Sequence, residues 1–159
     1  IMSFLLGGSE MEDEALKFAH KVIDLTKFLV DIIDIKPPDR QIQKSIKVTY
    51  HDPCHLANAQ GITEQPRELL KRIPGIEYLE MSAANRCCGG SGTYSVTHYD
   101  MSMKILDIKM DSAKETAADI IATCCPSCMM QLRHGTARHN WKCEIVHPVQ
   151  LLNDCYQNK

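Results

Sequence analysis

Residues 119–128 read Asp-Ile-Ile-Ala-Thr-Cys-Cys-Pro-Ser-Cys, a short apolar run followed at once by a Cys-x-x-Cys motif. An apolar run of this length, bounded by polar residues, is typical of a strand that is buried on both faces. Strands of that kind occur in parallel sheets that carry helices on both sides. The stretch therefore predicts an α/β fold in which cysteines directly follow a buried strand.

Outward from this stretch, the chain alternates strand-like and helix-like segments. Strands are predicted at 46–50, 76–81, 119–123 and 143–146. Helices are predicted at 12–35, 66–73, 98–110, 129–139 and 149–156. This alternation predicts right-handed βαβ crossovers, and hence a parallel sheet of about four strands flanked by helices.

The run Lys36-Pro37-Pro38-Asp39-Arg40 is expected to end the first helix and to act as a linker. Residues 1–40 are therefore predicted to be an N-terminal helix and linker, and residues 41–159 a single cysteine-rich domain. The start, Ile1-Met2-Ser3-Phe4, has neither an initiator Met at position 1 nor the features of a signal peptide. We expect the chain to be an excerpt that continues from an upstream domain.

The composition excludes several classes of protein. With 159 residues, 44% hydrophobic and 24% charged, the chain has an ordinary globular composition. A net charge of -2 without a basic stripe argues against nucleic acid as a partner. No apolar run reaches the roughly 18 residues that a transmembrane segment needs. The expected location is the cytoplasm, with any association with the inner face of the membrane made through partners.

The chain contains eight cysteines, and two pairs of them are adjacent in sequence, Cys87-Cys88 and Cys124-Cys125. Adjacent cysteines form a disulfide with each other only under strain, and no export signal accompanies them. Clustered cysteines of an intracellular protein are more often metal ligands or redox groups. The cysteines thus favour a metal ion or cluster over a disulfide framework.

Six of the cysteines follow three of the predicted strands: Cys54, Cys87, Cys88, Cys124, Cys125 and Cys128. Ligands of parallel α/β sheets bind beyond the carboxyl ends of the strands. The alternation of elements alone therefore predicts that these sulfurs gather at one edge of the sheet.

The cysteine spacing is specific. Thirty-two residues separate Cys54 from Cys87-Cys88-Gly89, and thirty-six separate Cys88 from Cys125-Pro126-Ser127-Cys128. This pattern resembles the CCG cysteine-rich domain found in heterodisulfide reductase and in the glycolate oxidase iron-sulfur subunit. The runs from His51 to Leu56 and from Cys87 to Tyr94 are most similar to the glycolate oxidase form, and the likeness extends to residues 19–30.

The resemblance implies an iron–sulfur cluster, of the noncubane four-iron (4Fe-4S) type, held by five thiolates. These ligands would be Cys54, Cys87, Cys88, Cys125 and Cys128. Some members of the glycolate oxidase family have one cysteine fewer, at the position of Cys125, whereas this chain has all five. Gly89 and Gly90 are expected to contribute to cofactor binding, because glycines let backbone N–H groups approach an anionic centre closely.

The implied function is electron transfer in a redox complex that oxidises a 2-hydroxy acid, such as glycolate or lactate, or that reduces a heterodisulfide. The implied partners are a flavin-containing oxidoreductase subunit and other iron–sulfur carriers. The chain has one CCG motif, whereas the family's subunits have two, so a C-terminal fragment or a half-size protein is expected. No residue is assigned a catalytic role.

The leading alternative is a structural zinc site in a module that mediates subunit assembly. Zinc takes four tetrahedral ligands, usually from two Cys-x-x-Cys motifs, and this chain has one. A dithiol redox role for the Cys-x-x-Cys motif alone would leave the other cysteines unexplained. His51, His55 and His147 are expected near the site as hydrogen-bonding residues rather than ligands. Cys143 and Cys155 are predicted to be small buried core residues.

Overall fold

The sheet has four strands, all parallel, in the order β2-β1-β3-β4. The computed structural model of the chain describes residues 7–36 and 45–157. The strands are β1 (Ile46–Tyr50), β2 (Ile76–Tyr78), β3 (Ile120–Ala122) and β4 (Glu144–Val146). The predicted α/β fold with a parallel sheet is therefore confirmed, and each strand lies within its predicted range.

Eight α-helices lie in the described part of the chain. They are α1 (Glu12–Ala19), α2 (Leu25–Lys27), α3 (Cys54–Gln60), α4 (Glu64–Arg72), α5 (Tyr94–Thr97), α6 (Tyr99–Lys114), α7 (Pro126–Arg138) and α8 (Pro148–Gln157). The sequence pattern missed α3 and α5, which are short. Among these described helices, none is long and apolar enough to span a membrane.

Three strands end level with one another, which places the segments after them at the same height. Tyr50 lies opposite Ala122, and Ala122 lies opposite Val146. The pairing continues one residue further, since the His51 N–H donates to the Ala122 carbonyl at 2.9 Å. The Thr123 N–H donates to the Val146 carbonyl at 3.0 Å in the same way.

The sheet separates two hydrophobic cores. The first core contains Ile120 and Ala122 of β3 together with buried residues of α3, α4 and α8. The second core contains Ile121, the residue between those two in the strand, together with buried residues of α6 and α7. Successive residues of a strand point to opposite faces, and this alternation assigns each residue near the end of β3 to one core or the other.

The prediction of one continuous helix over 12–35 is wrong. Helix α1 ends at Ala19, and a new helical segment starts at Leu25 and continues as a π-helix over Phe28–Ile32. The Asp24 carboxylate causes the restart, because it accepts hydrogen bonds from the N–H groups of Thr26 (2.8 Å) and Lys27 (3.2 Å). Asp is a strong N-cap residue. The predicted linker at 37–40 lies outside the described residues.

A buried ion pair joins α4 to the segment after β1. The Arg67 guanidinium donates to both carboxylate oxygens of Asp52 at 2.7 Å, and the two side chains are 11% and 5% exposed. Arg67 also donates to Glu80, at 2.9 and 2.8 Å, and to the Thr63 carbonyl at 2.8 Å. One guanidinium thus positions the residues that immediately precede Cys54.

Asp52→Asn is expected to destabilise the fold strongly, because it removes one charge of this pair. Removing one partner of a buried pair costs about 3–5 kcal/mol, and since Glu80 remains, we expect about 2–3 kcal/mol. Asp34→Asn is the matched control, because Asp34 forms an exposed pair with Arg72 at 2.9 Å and should contribute below about 1 kcal/mol. Free energies of unfolding from urea titrations compare the two, and equal losses would contradict the assignment.

Candidate metal centre

Three buried side chains from three different elements converge beyond the carboxyl ends of the strands. Each of the three residues, His51, Cys88 and Cys128, offers one ligand atom, and these three atoms all lie within 4.8 Å of one another. His51 directly follows β1, Cys88 lies in the connection after β2, and Cys128 lies in the first turn of α7. The convergence of loops at this edge, predicted from the alternation of elements, is what joins these side chains.

Cys125 is half-buried and adjoins this group of three through Cys128. It is the N-cap residue of α7, with Pro126 at the start of the helix, and its side chain interacts with that of Cys128. Thiolates are favoured near a helix N-terminus, where backbone N–H groups point outward. The Cys-x-x-Cys motif therefore presents its two sulfurs together at the start of a 13-residue helix.

The side chains of Cys88 and Cys128 are hydrogen-bonded to each other. A hydrogen bond from Cys128 lowers the pKa of Cys88 to about 4, and His51 and the Gly90 N–H add to this effect against the opposing influence of burial. The same hydrogen bond raises the pKa of Cys128, because the Cys128 thiol donates its proton to the Cys88 sulfur. The two thiols are therefore coupled, and loss of a proton is favoured at Cys88.

Burial favours the neutral form of the His51 imidazole. Its side chain is 1% exposed, and burial lowers its pKa despite the hydrogen bond with Cys88. Its Nδ1 atom is buried and has no hydrogen-bond partner in the described structure. A neutral imidazole has the protonation state that metal binding requires.

The glycines after Cys88 are packed tightly between α6 and α7. Gly89 has a φ of +83°, and a Cβ on it would lie 2.6 Å from the Ser102 carbonyl oxygen. A Cβ on Gly90 would lie 2.8 Å from the Cβ of Gln131. Ser102 Oγ donates to the Gly89 carbonyl at 2.9 Å, and Ser127 Oγ donates to the Gly90 carbonyl. The two glycines let the loop approach both helices closely.

The N–H groups of the same loop face cysteine sulfurs. The Gly89 N–H donates to Cys87 Sγ at 3.3 Å, and the Gly90 N–H contributes to the lowered pKa of Cys88. Hydrogen bonds to a thiolate favour its charged form. The loop thus supplies backbone donors to two neighbouring sulfurs.

Cys54 and Cys87, the other two predicted ligands, are exposed. Cys54 begins α3, directly after the buried run His51, Asp52 and Pro53. Within the described residues, neither belongs to the buried group of His51, Cys88 and Cys128. Of the five predicted ligands, the structure thus brings Cys88, Cys125 and Cys128 together and places Cys54 and Cys87 on the solvent side of the strand-end loops.

The remaining cysteines lie away from the cluster. Cys124 is in the first core, beside Tyr50 and Thr26, and burial raises its pKa to about 12. Cys143 and Cys155 are both buried core residues, as predicted. His55 is exposed. The Nδ1 atom of His147 accepts a hydrogen bond from the Val149 N–H at 3.2 Å.

Sequence reasoning missed Lys109, which is fully buried in α6. Its Nζ donates to the carbonyl oxygens of Ala83 at 2.6 Å and Ala84 at 2.9 Å, just before the Cys87-Cys88 pair. Burial lowers the pKa of Lys109 to about 8, although negative charge on Cys88 acts in the opposite direction. The sequence does contain a sign that Lys109 is buried, because Lys109 follows the core residue Leu106 by about one helical turn and so lies on the same face of the helix.

Comparison with known proteins identifies related chains. The family model of the CCG cysteine-rich domain matches residues 48–133. The glycolate oxidase iron-sulfur subunit of Bacillus subtilis is 38% identical over 152 residues, which are 94% of this chain and 34% of that protein. Lactate utilization protein A of Bacillus licheniformis is 32% identical over 141 residues, which are 89% of this chain and 58% of that protein. The protein of the same name from Geobacillus sp. is 31% identical over 147 residues, 92% of this chain and 61% of that protein. The chain thus spans between a third and about three fifths of these relatives.

Gly89→Ala is expected to destabilise the protein more than Gly92→Ala, a control in the same loop. Both glycines have a positive φ, but a Cβ on Gly92 would meet nothing within 4 Å. Overpacking against the Ser102 backbone should cost Gly89→Ala about 1–3 kcal/mol beyond the conformational strain that the two variants share. Urea titrations of both variants measure the difference. Equal free energies of unfolding would show that the close contact of Gly89 with α6 does not add to the destabilisation.

Proposed function

The chain belongs to the family of CCG cysteine-rich domains, and on that premise we propose that it holds an iron–sulfur cluster for electron transfer in 2-hydroxy-acid oxidation. Two observations support the proposal. The described structure has a buried cysteine cluster at the carboxyl edge of its sheet. The relatives include a protein named as the iron-sulfur subunit of glycolate oxidase and proteins named for lactate utilization.

The observation that carries the proposal is the arrangement of the sulfurs. Iron–sulfur clusters are held by cysteine thiolates. Cys88 and Cys128 are in contact, Cys125 is beside Cys128, and the lowered pKa of Cys88 favours its thiolate form. The proposed ligands are these three with Cys54 and Cys87, a set of five thiolates. The adjacent cysteines Cys87 and Cys88 differ in burial, which suits a cluster with several iron corners better than a single ion.

The surrounding residues would control the environment of the cluster. Gly89 and Gly90 direct their N–H groups to the sulfurs of Cys87 and Cys88, and such hydrogen bonds tune a cluster's reduction potential. The second core excludes water from the buried side. A bound cluster, proposed to be of the noncubane 4Fe-4S type, would accept and pass on electrons.

The proposed partner is a flavin-containing subunit that oxidises the 2-hydroxy acid. Other iron–sulfur carriers are proposed as further members of the electron-transfer chain. The names of the relatives favour glycolate or lactate as the substrate of the whole complex over a heterodisulfide. Cys54 and Cys87 lie on the exposed side of the site. That side would face the partner, because electron transfer requires close approach to the cluster.

A structural zinc site is the second candidate. His51, Cys88, Cys125 and Cys128 together offer four ligands, the number that a tetrahedral zinc ion takes. In that case Cys54 and Cys87 would stay exposed and metal-free. The two candidates therefore differ in the number of sulfurs they use and in the presence of sulfide.

The metal content of anaerobically purified protein tests the proposal. We expect about four irons per chain with matching acid-labile sulfide. Cys88→Ser should lose most of both, because Cys88 is the central thiolate. Cys124→Ser and Cys155→Ser should retain the wild-type content, because these two cysteines lie in the first core.

One zinc per chain without sulfide would overturn the cluster proposal in favour of the zinc site. Unchanged iron in Cys88→Ser would remove Cys88 from the ligand set. Loss of iron in Cys124→Ser, with a fold that circular dichroism shows to be intact, would mean that the adjacent cysteine is a ligand.

Alkylation of the two exposed cysteines shows whether all five proposed cysteines bind the cluster or only the three that lie together. In metal-free protein, Cys54 and Cys87 are expected to react rapidly with iodoacetamide, since both are exposed. Cluster loading should slow the alkylation of both at least tenfold, as measured by peptide mass spectrometry. Protection of Cys88, Cys125 and Cys128 alone would mean that Cys54 and Cys87 are not ligands.

A further inference from the structure

We infer that Lys109 supplies the positive charge that balances the thiolates of the metal centre and raises the reduction potential of the cluster held there. The inference rests on the proposed function. It concerns a residue of α6 that is distant in sequence from every predicted ligand and that has no place in the CCG spacing.

Lys109 is a buried cation whose hydrogen-bond partners within the described residues are uncharged. Its side chain is 0% exposed, and its Nζ donates to the carbonyls of Ala83 and Ala84. Two carbonyl dipoles do not neutralise an ammonium group. A buried charge without a counter-charge is expensive, so an anion is needed nearby.

The nearby carboxylate is already paired. Asp52 accepts two hydrogen bonds at 2.7 Å from Arg67, a second cation that is itself only 9% exposed. The other groups that act on the charge of Lys109 are Cys88 and Cys128, which favour it, and Arg86, which opposes it. The sulfurs of Cys88 and Cys128, which bind a cluster as thiolates, are therefore the anion left for Lys109 to balance.

The ammonium group of Lys109 shares a carbonyl acceptor with the segment that precedes Cys54. The Ala84 carbonyl accepts both the Lys109 Nζ, at 2.9 Å, and the Asp52 N–H, at 3.0 Å. Asp52 lies two residues before Cys54, and Ala84 lies three residues before Cys87. Lys109 thus contacts the backbone that leads into Cys87 and Cys88, and the Ala84 carbonyl that it holds also accepts a hydrogen bond from the backbone that leads into Cys54.

The physical effect follows from Coulomb's law in a medium of low dielectric constant. Each electron that enters a thiolate-bound cluster adds negative charge to it. A fixed cation close by stabilises the reduced form more than the oxidised form, so it raises the reduction potential. Lys109 is accordingly a positioning and tuning residue rather than a ligand.

Anaerobic dithionite titration of the cluster-loaded chain tests the inference with three variants. Lys109→Met removes the charge and the hydrogen bonds, whereas Lys109→Gln removes the charge and keeps a donor for the carbonyls. Both should lower the midpoint potential, with at least a tenfold fall in the equilibrium constant for reduction, or 59 mV for a one-electron couple. Lys104→Met, on the exposed side of α6, should leave the potential unchanged.

Each outcome separates the charge from a structural role. If Lys109→Gln has the wild-type potential, or if Lys104→Met shifts it equally, the inference is overturned. If both Lys109 variants fail to fold without iron, judged by circular dichroism, Lys109 is a structural residue and the inference is also overturned. Absence of any cluster in the wild-type chain would instead refute the proposed function.

Discussion

The parallel pairing of β1 with β3 is the constraint on which the site depends. Because Tyr50 and Ala122 lie side by side at the ends of these strands, the residues that follow them must leave the sheet at the same level. His51 follows one strand, and Cys125 and Cys128 follow the other. The connection after β2 then brings Cys88 to the same place. A shift of this register would carry the His51 side chain away from the sulfurs and to the other face of the sheet.

The carboxyl edge of the sheet must balance buried charges as well as bring the ligands together. The edge gathers a thiolate at Cys88, a carboxylate at Asp52 and the buried cations Arg67 and Lys109. Arg67 pairs with Asp52 on the α4 side, and Lys109 extends from α6 on the opposite side of the sheet. Buried ions are tolerated when they are paired and hydrogen-bonded, and this arrangement lets a highly charged site exist within two hydrophobic cores.

Much of this organisation could be predicted from local pattern. The strands and the parallel sheet followed from hydrophobic periodicity. The rule for strand ends predicted six sulfurs at this edge, of which the structure brings Cys88, Cys125 and Cys128 together and places Cys124 in the first core. The helix over 12–35 could not be judged from periodicity alone, because the apolar spacing continues through Asp24, where capping of the backbone restarts the helix. The N-cap preference of Asp was the competing signal. The short helix α3 was missed because seven residues carry too little periodicity to detect.

The sequence by itself determined the cysteine spacing, the order of strands and helices along the chain, and hence which loops carry sulfur. Only the tertiary structure decided which sulfurs meet. Cys124 and Cys125 are neighbours in the chain, yet one packs in the first core and the other against the second, because successive residues leave a strand on opposite faces. The contact of Lys109 with Ala84 joins residues 25 positions apart. Such contacts depend on how α6 packs on the sheet, and a local sequence pattern carries no information about that packing.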